Sequence, residues 1–139
     1  MRYRRLTARY VSLVSMGEVP SLGDLLRTAQ PRVMVAPTRW RPAADVCESA
    51  TALAITVELA GVDEDDLEVT LFEDALVVEG VRRPVGCMAD GVYHSAEIRH
   101  GPFRLEVPLP VAVDTEAPQG RYERGLLHIS LPKAGGGQH

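Results

Sequence analysis

The chain has 139 residues, 45% of them hydrophobic and 24% charged, a composition that can bury the core of one globular domain. No apolar run approaches the roughly 18 residues that span a bilayer, and residues 11–16 lack an Ala-x-Ala cleavage site, so we expect neither a membrane span nor a secretory signal. The net charge of −4 divides into a basic first part, with seven arginines and two acidic residues in 1–40, and an acidic remainder. This contrast suggests self-association or binding to acidic surfaces, although codon bias is the simpler explanation because fourteen of the fifteen basic residues are arginine.

Residues 1–39 are predicted to form an arm that is distinct from the rest of the chain. Residues 1–5 show no periodicity, whereas Ser-Leu-Gly-Asp at 21–24 resembles a helix capping box. One apolar stripe at helical spacing then predicts a short helix that ends at Pro31; its members are Leu22, Leu25, Leu26 and Ala29. A helix of two turns is not stable alone in water, so it must pack on the body, a partner subunit or a client.

Residues 40–133 are predicted to be a series of short strands. Apolar residues alternate with polar ones in four runs, which indicates strands with one buried face. The expected buried positions are Leu53, Ile55, Val57, Leu59, Leu67, Val69, Leu71, Phe103, Leu105, Val107, Leu109, Leu127, Ile129 and Leu131. A further strand is predicted at 75–79, and the residues around Gly125 suit a tight turn. No helix of ten or more residues follows Trp40, so we expect an all-β antiparallel sandwich.

Residues 81–97 form a long loop with a candidate short strand at 92–97. Loops of this length are uncommon in compact sandwiches and are often functional.

Eight short motifs lie in register along the body. They are Trp-Arg-Pro at 40–42, Asp-Val-Cys-Glu at 45–48, Val-Glu-Leu-Ala-Gly-Val at 57–62, Leu-Val-Val-Glu-Gly-Val-Arg at 76–82, Tyr-x-x-x-Glu at 93–97, Gly-x-Phe at 101–103, Leu-Pro at 109–110 and Gly-Leu-Leu-x-Ile-x-Leu-Pro-Lys at 125–133. Together they resemble the α-crystallin domain of small heat-shock proteins, the Hsp20 family, and most closely its bacterial, archaeal and plant branch.

The resemblance implies an immunoglobulin-like β-sandwich and ATP-independent binding of partly unfolded client proteins, with no cofactor. The expected cytoplasmic location rests on the two cysteines, which show no Cys-x-x-Cys motif and are expected to be reduced thiols, and on the lack of a secretory signal. It also implies a homodimer in which the long loop adds a strand to the partner's sheet and pairs an edge that would otherwise invite aggregation. The residues that would form this strand are Val92, Tyr93, His94, Ser95, Ala96 and Glu97.

The chain departs from the family pattern at two places that bear on assembly. Pro118 stands where the family strand carries an aliphatic residue, and because proline cannot donate to a ladder, we expect a weak edge strand there. Residues 134–139 lack the Ile/Val-x-Ile/Val tail motif that docks in an edge groove of another dimer, here formed by Val69, Leu71, Pro118 and Gly120. We therefore expect no assembly through the tail. Residues 33–35 have the spacing to fill the groove instead, although packing on the body is the more common role of such a run.

The arm is the candidate client-binding surface, because it carries flexible apolar side chains that tolerate many sequences. They are Tyr10, Val11, Leu13, Val14, Met16, Leu22, Leu25, Leu26 and Met34. The alternative is that the arm only packs on its own dimer. The arm is also the candidate contact for oligomers larger than a dimer.

Signals for an enzyme, a metal site or nucleic-acid binding are weak. The histidines are scattered, no nucleophile elbow or phosphate loop is present, and the acidic residues 63–66 are expected to be a solvated turn. Cys47 is expected in or near the core and Cys87 at the surface. Two other functions remain open: an adaptor of the CS-domain type, which lacks the long loop, and an accessory or structural assembly protein.

Overall fold

The computed structural model of the chain describes residues 4–6 and 39–135. Within them, eight strands form two four-stranded sheets in which all neighbouring strands are antiparallel, which confirms the all-β sandwich. The strands are β1 (Arg4–Leu6), β2 (Ala44–Glu48), β3 (Ala52–Glu58), β4 (Leu67–Leu71), β5 (Ala75–Arg82), β6 (Gly101–Pro108), β7 (Gln119–Glu123) and β8 (Leu126–Pro132). The first sheet has the order β1-β4-β5-β6, and the second sheet has the order β2-β3-β8-β7.

The core lies between the two sheets and follows the predicted alternation. In β3 the side chains of Leu53, Ile55 and Val57 are fully buried, and their neighbours in the strand are not. The apolar residues of β4, β6 and β8 follow the same rule. In β5 all of residues 75–78 are buried, as expected for a continuous apolar run inside a sheet. The strands therefore form where period two gives each sheet an apolar face.

The hairpin between β7 and β8 has the shortest possible loop. Glu123 pairs with Leu126, and the two residues between them have positive φ angles, 54° at Arg124 and 79° at Gly125. This geometry suits the twist of the flanking strands and confirms the predicted tight turn. A side chain at Gly125 would also meet Ala60, because a Cβ there would lie 2.9 Å from the Ala60 Cα.

The edges of the sheets determine which backbone groups are open to a partner. The second sheet ends at β2 on one side and at β7 on the other. Pro118 directly precedes β7, so the expectation of an edge strand after this proline is confirmed. In the first sheet, β6 is bridged by Trp40, whose backbone pairs with that of Phe103.

Three predicted features lie outside the described residues. They are the short helix of the arm, the run at 33–35 and the end of the tail at 136–139.

Candidate interaction surfaces

Within residues 39–135, the longest connection between two strands joins β5 to β6 through residues 83–100 and contains no strand. Most of the exposed large hydrophobic side chains of the described residues lie in it: Val85, Met88, Val92, Tyr93 and Ile98. Their exposed fractions range from 60% at Tyr93 to 100% at Val85. Since monomeric proteins seldom expose large apolar patches, this loop is typical of a surface that a partner covers.

The residues predicted to dimerise occupy the second half of this loop. All six are exposed, and none pairs with any strand that the structure describes in its own chain; they are Val92, Tyr93, His94, Ser95, Ala96 and Glu97. Val85, Met88 and Ile98 belong to the same surface and were not predicted from the sequence. Their apolar type inside a loop was the available signal.

Among the described residues, no strand pairs with the outer side of β2, which is the edge of the second sheet opposite β7. Val46 is 46% exposed, although Ile55, its register partner in β3, is fully buried. Cys47 is exposed as well, so the prediction that it lies in or near the core is wrong. The physical reason is that Cys47 pairs with the exposed Ala54, on the face of the sheet that points away from the core. Cys87 is exposed, as predicted.

The outer edge of β4 is paired with the N-terminal strand β1. The register joins Arg4 to Leu71 and Leu6 to Val69. Val69 and Leu71, two of the predicted groove residues, are fully buried. β1 was not predicted from the sequence, because a strand of three residues shows no periodicity.

The other two predicted groove residues belong to the second sheet. Pro118 is buried just before β7, and Gly120 lies in β7 opposite Ile129. β7 is tied to the chain that follows β3, because the hydroxyl of Tyr122 donates a hydrogen bond to the Leu59 carbonyl at 2.5 Å. The four predicted groove residues are therefore divided between the two sheets.

The predicted client-binding residues lie outside the described residues. They are Tyr10, Val11, Leu13, Val14, Met16, Leu22, Leu25, Leu26 and Met34.

The ionisable residues of the described ranges include no group of three or more side chains placed to hold a metal ion. The acidic turn contains a 3₁₀ helix, Glu64–Asp66, before β4. Arg83 donates to the Asp66 carboxylate from Nε at 2.8 Å and from Nη2 at 3.2 Å. This hydrogen bond, with the charge of Arg83, holds the pKa of Asp66 below its ordinary value.

Replacing Arg83 with methionine is expected to raise the pKa of Asp66 towards its ordinary value, because the hydrogen bond and the charge are lost. In the wild type, the stability from this pair is present above the unfolded-state pKa and is lost as the pH falls through the lower folded pKa. NMR titration of the Asp66 carboxyl group measures the change. Arg121→Met, which removes an arginine that pairs with Glu123, is the control. An unshifted Asp66 in Arg83→Met would contradict this assignment.

The comparison with known families decides the identity of the sandwich. Residues 45–138 match the Hsp20/alpha crystallin family. The chain belongs to this family. Small heat shock protein C2 of Rickettsia felis is 28% identical over 92 residues, 66% of this chain and 60% of that protein. Spore protein SP21 of Stigmatella aurantiaca is 33% identical over 97 residues, 70% of this chain and 57% of that protein. The chain thus aligns with less than two thirds of the length of either relative.

A solved structure agrees with this membership of the Hsp20 family. Heat shock protein 16.0 from Schizosaccharomyces pombe superposes with a TM-score of 0.64 at 26% identity, over 73% of this chain and 94% of that one. In the described part of this Hsp20 chain, no helix has the length and hydropathy needed to cross a membrane.

Proposed function

We propose that the chain is an ATP-independent chaperone that binds partly unfolded proteins and keeps them from aggregating. The observation that carries the proposal is the Hsp20/alpha crystallin match over residues 45–138, on a sandwich that superposes on a heat shock protein. The exposed apolar side chains of residues 83–100 also support the proposal. A chaperone that works as an assembly needs apolar surfaces through which its subunits can associate and dissociate.

The proposed building block is a homodimer that exchanges strands. Residues 92–97 of one protomer add to the β2 edge of the other, where backbone groups and Val46 are open to a partner. Strand addition satisfies backbone hydrogen bonds at both surfaces and covers apolar side chains that water otherwise meets. The open β2 edge and the unpaired loop are complementary in this sense.

The arm is the proposed client-binding surface and the proposed link between dimers. Its apolar side chains could contribute several kcal/mol to binding, at roughly 25 cal/mol per Å² of apolar surface buried. That is enough for weak and reversible holding. The pairing of β1 with β4 supports a role of the arm at the sheet edge, because it makes three residues of the arm the outermost strand of the first sheet.

The full-length chain is expected to suppress the thermal aggregation of a test protein without ATP, at a several-fold molar excess. A variant with Leu22, Leu25 and Leu26 changed to serine is expected to lose most of this effect, because it removes the apolar stripe of the arm. Light scattering during heating measures both. A matched control changes three polar arm residues, Thr28, Gln30 and Thr38, to alanine and should suppress aggregation as the wild type does.

If the serine variant suppresses aggregation fully, the arm is not the client site, but the proposed chaperone activity is still supported. No suppression by the wild type would favour the second candidate, an accessory or structural assembly protein that uses the same sandwich. The relative named as a spore protein is the observation that keeps this second candidate open.

A further inference from the structure

The exposed loop of residues 83–100 is tied at its base by the side chain of Arg82, the last residue of β5. The Nε and Nη2 atoms of Arg82 both donate to the backbone carbonyl of Arg99, at 2.8 and 2.5 Å. Its Nη1 atom donates to the carbonyl of Ala60 at 3.3 Å. One guanidinium therefore joins the start of the loop to its end and to the chain that leaves β3.

The indole ring of Trp40 contacts the same guanidinium group. The Cζ atom of Arg82 lies 4.3 Å from the centroid of the Trp40 ring, which is a cation–π distance. The ring is itself fixed, because its Nε1 donates to the Gly101 carbonyl at 3.1 Å and it packs 5.4 Å from the ring of Phe103. Arginine suits this position, since its planar fork can donate to carbonyls while its face stacks on an aromatic ring.

We propose that Arg82 is the positioning residue that sets the direction in which the loop leaves the sandwich, and thereby presents residues 92–97 to the β2 edge of a second protomer. The backbone ladder already pairs Arg82 with Gly101, so the loop is closed without the side chain. The side chain fixes the direction of the loop, because it joins the Arg99 carbonyl to the Ala60 carbonyl in the chain that follows β3. In the second sheet, β3 is the neighbour of β2. This inference rests on the proposed strand-exchange dimer.

The expected effect falls on association more than on folding. A loop that samples many directions must lose that freedom when it pairs with a partner, which weakens the dimer. By holding the loop in one direction before the protomers associate, Arg82 reduces the conformational entropy that is lost when the dimer forms. Its hydrogen-bond acceptors are backbone carbonyls of the exposed residues Ala60 and Arg99, and it donates to no side chain of the buried core.

The test compares Arg82→Met with Arg83→Met in the full-length chain. Arg83 is the next residue and carries the same charge, but it bonds to Asp66 and not to the loop end. Arg82→Met is expected to raise the dissociation constant of the dimer about tenfold or more, equivalent to about 1.4 kcal/mol. It should also speed hydrogen exchange in residues 84–99, while thermal unfolding stays close to that of Arg83→Met. Arg82→Lys keeps the charge without the fork and should lose most of the affinity as well.

Equal dissociation constants and equal loop exchange in Arg82→Met and Arg83→Met would overturn the inference. If Arg82→Met does not give a folded circular dichroism spectrum, Arg82→Lys takes its place in the same comparison. A wild type that stays monomeric at every concentration would instead reject the strand-exchange dimer. Hydrogen exchange of residues 84–99 then decides the role of Arg82 alone: faster exchange in Arg82→Met supports it and unchanged exchange refutes it.

Discussion

Replacing Gly80 with alanine is expected to lower the free energy of unfolding by about 3 kcal/mol, the upper part of the range for overpacked cores. A Cβ atom at Gly80 would lie 2.1 Å from the backbone oxygen of Asp66 and 2.7 Å from the Cζ atom of Phe103. The Asp66 oxygen belongs to the backbone, and Phe103 is only 1% exposed, so neither can move without disturbing its surroundings. Thermal unfolding at a fixed protein concentration should show the midpoint lowered by about 10 °C or more.

Gly86→Ala is the control for Gly80→Ala. Gly86 has a φ of +88° but no atom within 4 Å of an added Cβ, so the change costs only backbone strain, about 1–2 kcal/mol. A double variant, Gly80→Ala with Phe103→Leu, separates the two close contacts at Gly80. It removes the ring that the new Cβ meets and leaves the Asp66 oxygen in place, so the alanine should still destabilise the Phe103→Leu background. Equal losses of unfolding free energy in Gly80→Ala and Gly86→Ala would contradict the close approach of Asp66 and Phe103 to Gly80.

The core of the sandwich could be predicted from the sequence because it depends on the order of apolar and polar residues within each strand. A strand with one buried face must alternate apolar and polar residues, so Leu53, Ile55 and Val57 could be placed in the core without knowing their neighbours. The hairpin at Gly125 could be placed for a similar reason, since a two-residue turn needs residues that accept positive φ.

The surfaces could be predicted less well, because they depend on which strand lies beside which. The prediction that Cys47 lies in or near the core was wrong, because β2 is an edge strand and Cys47 is on its outward face. Neither property can be read from the residues next to Cys47 in the sequence. The pairing of β1 with β4 involves three residues without a periodic pattern. The hydrogen bonds of Arg82 go to backbone carbonyls, which every residue carries, so no residue type marks them. Long-range geometry decides all three cases.

Replacing Val46 with aspartate is expected to dissociate the proposed dimer, with a rise in its dissociation constant of about 100-fold, or about 2.7 kcal/mol. Val46 lies in the open edge strand β2, where the partner's residues 92–97 would pair and cover it. A carboxylate there would lose water on association without gaining a partner, which is costly. The folded protomer should be little affected, because Val46 is already 46% exposed. Sedimentation velocity and native mass spectrometry over a range of concentrations measure the change.

Gln119→Asp is the matched control, since it puts the same charge on β7, the opposite edge of the same sheet, at an exposed position. If the loop adds to β2, only Val46→Asp weakens the dimer, and the two variants unfold at similar temperatures. Weakening by Gln119→Asp alone would place the partner strand at β7. Unchanged association in both variants would mean that neither edge of the second sheet accepts a strand. Because the two substitutions act on edges of one sheet, their difference reports the docking edge separately from any general effect of added negative charge.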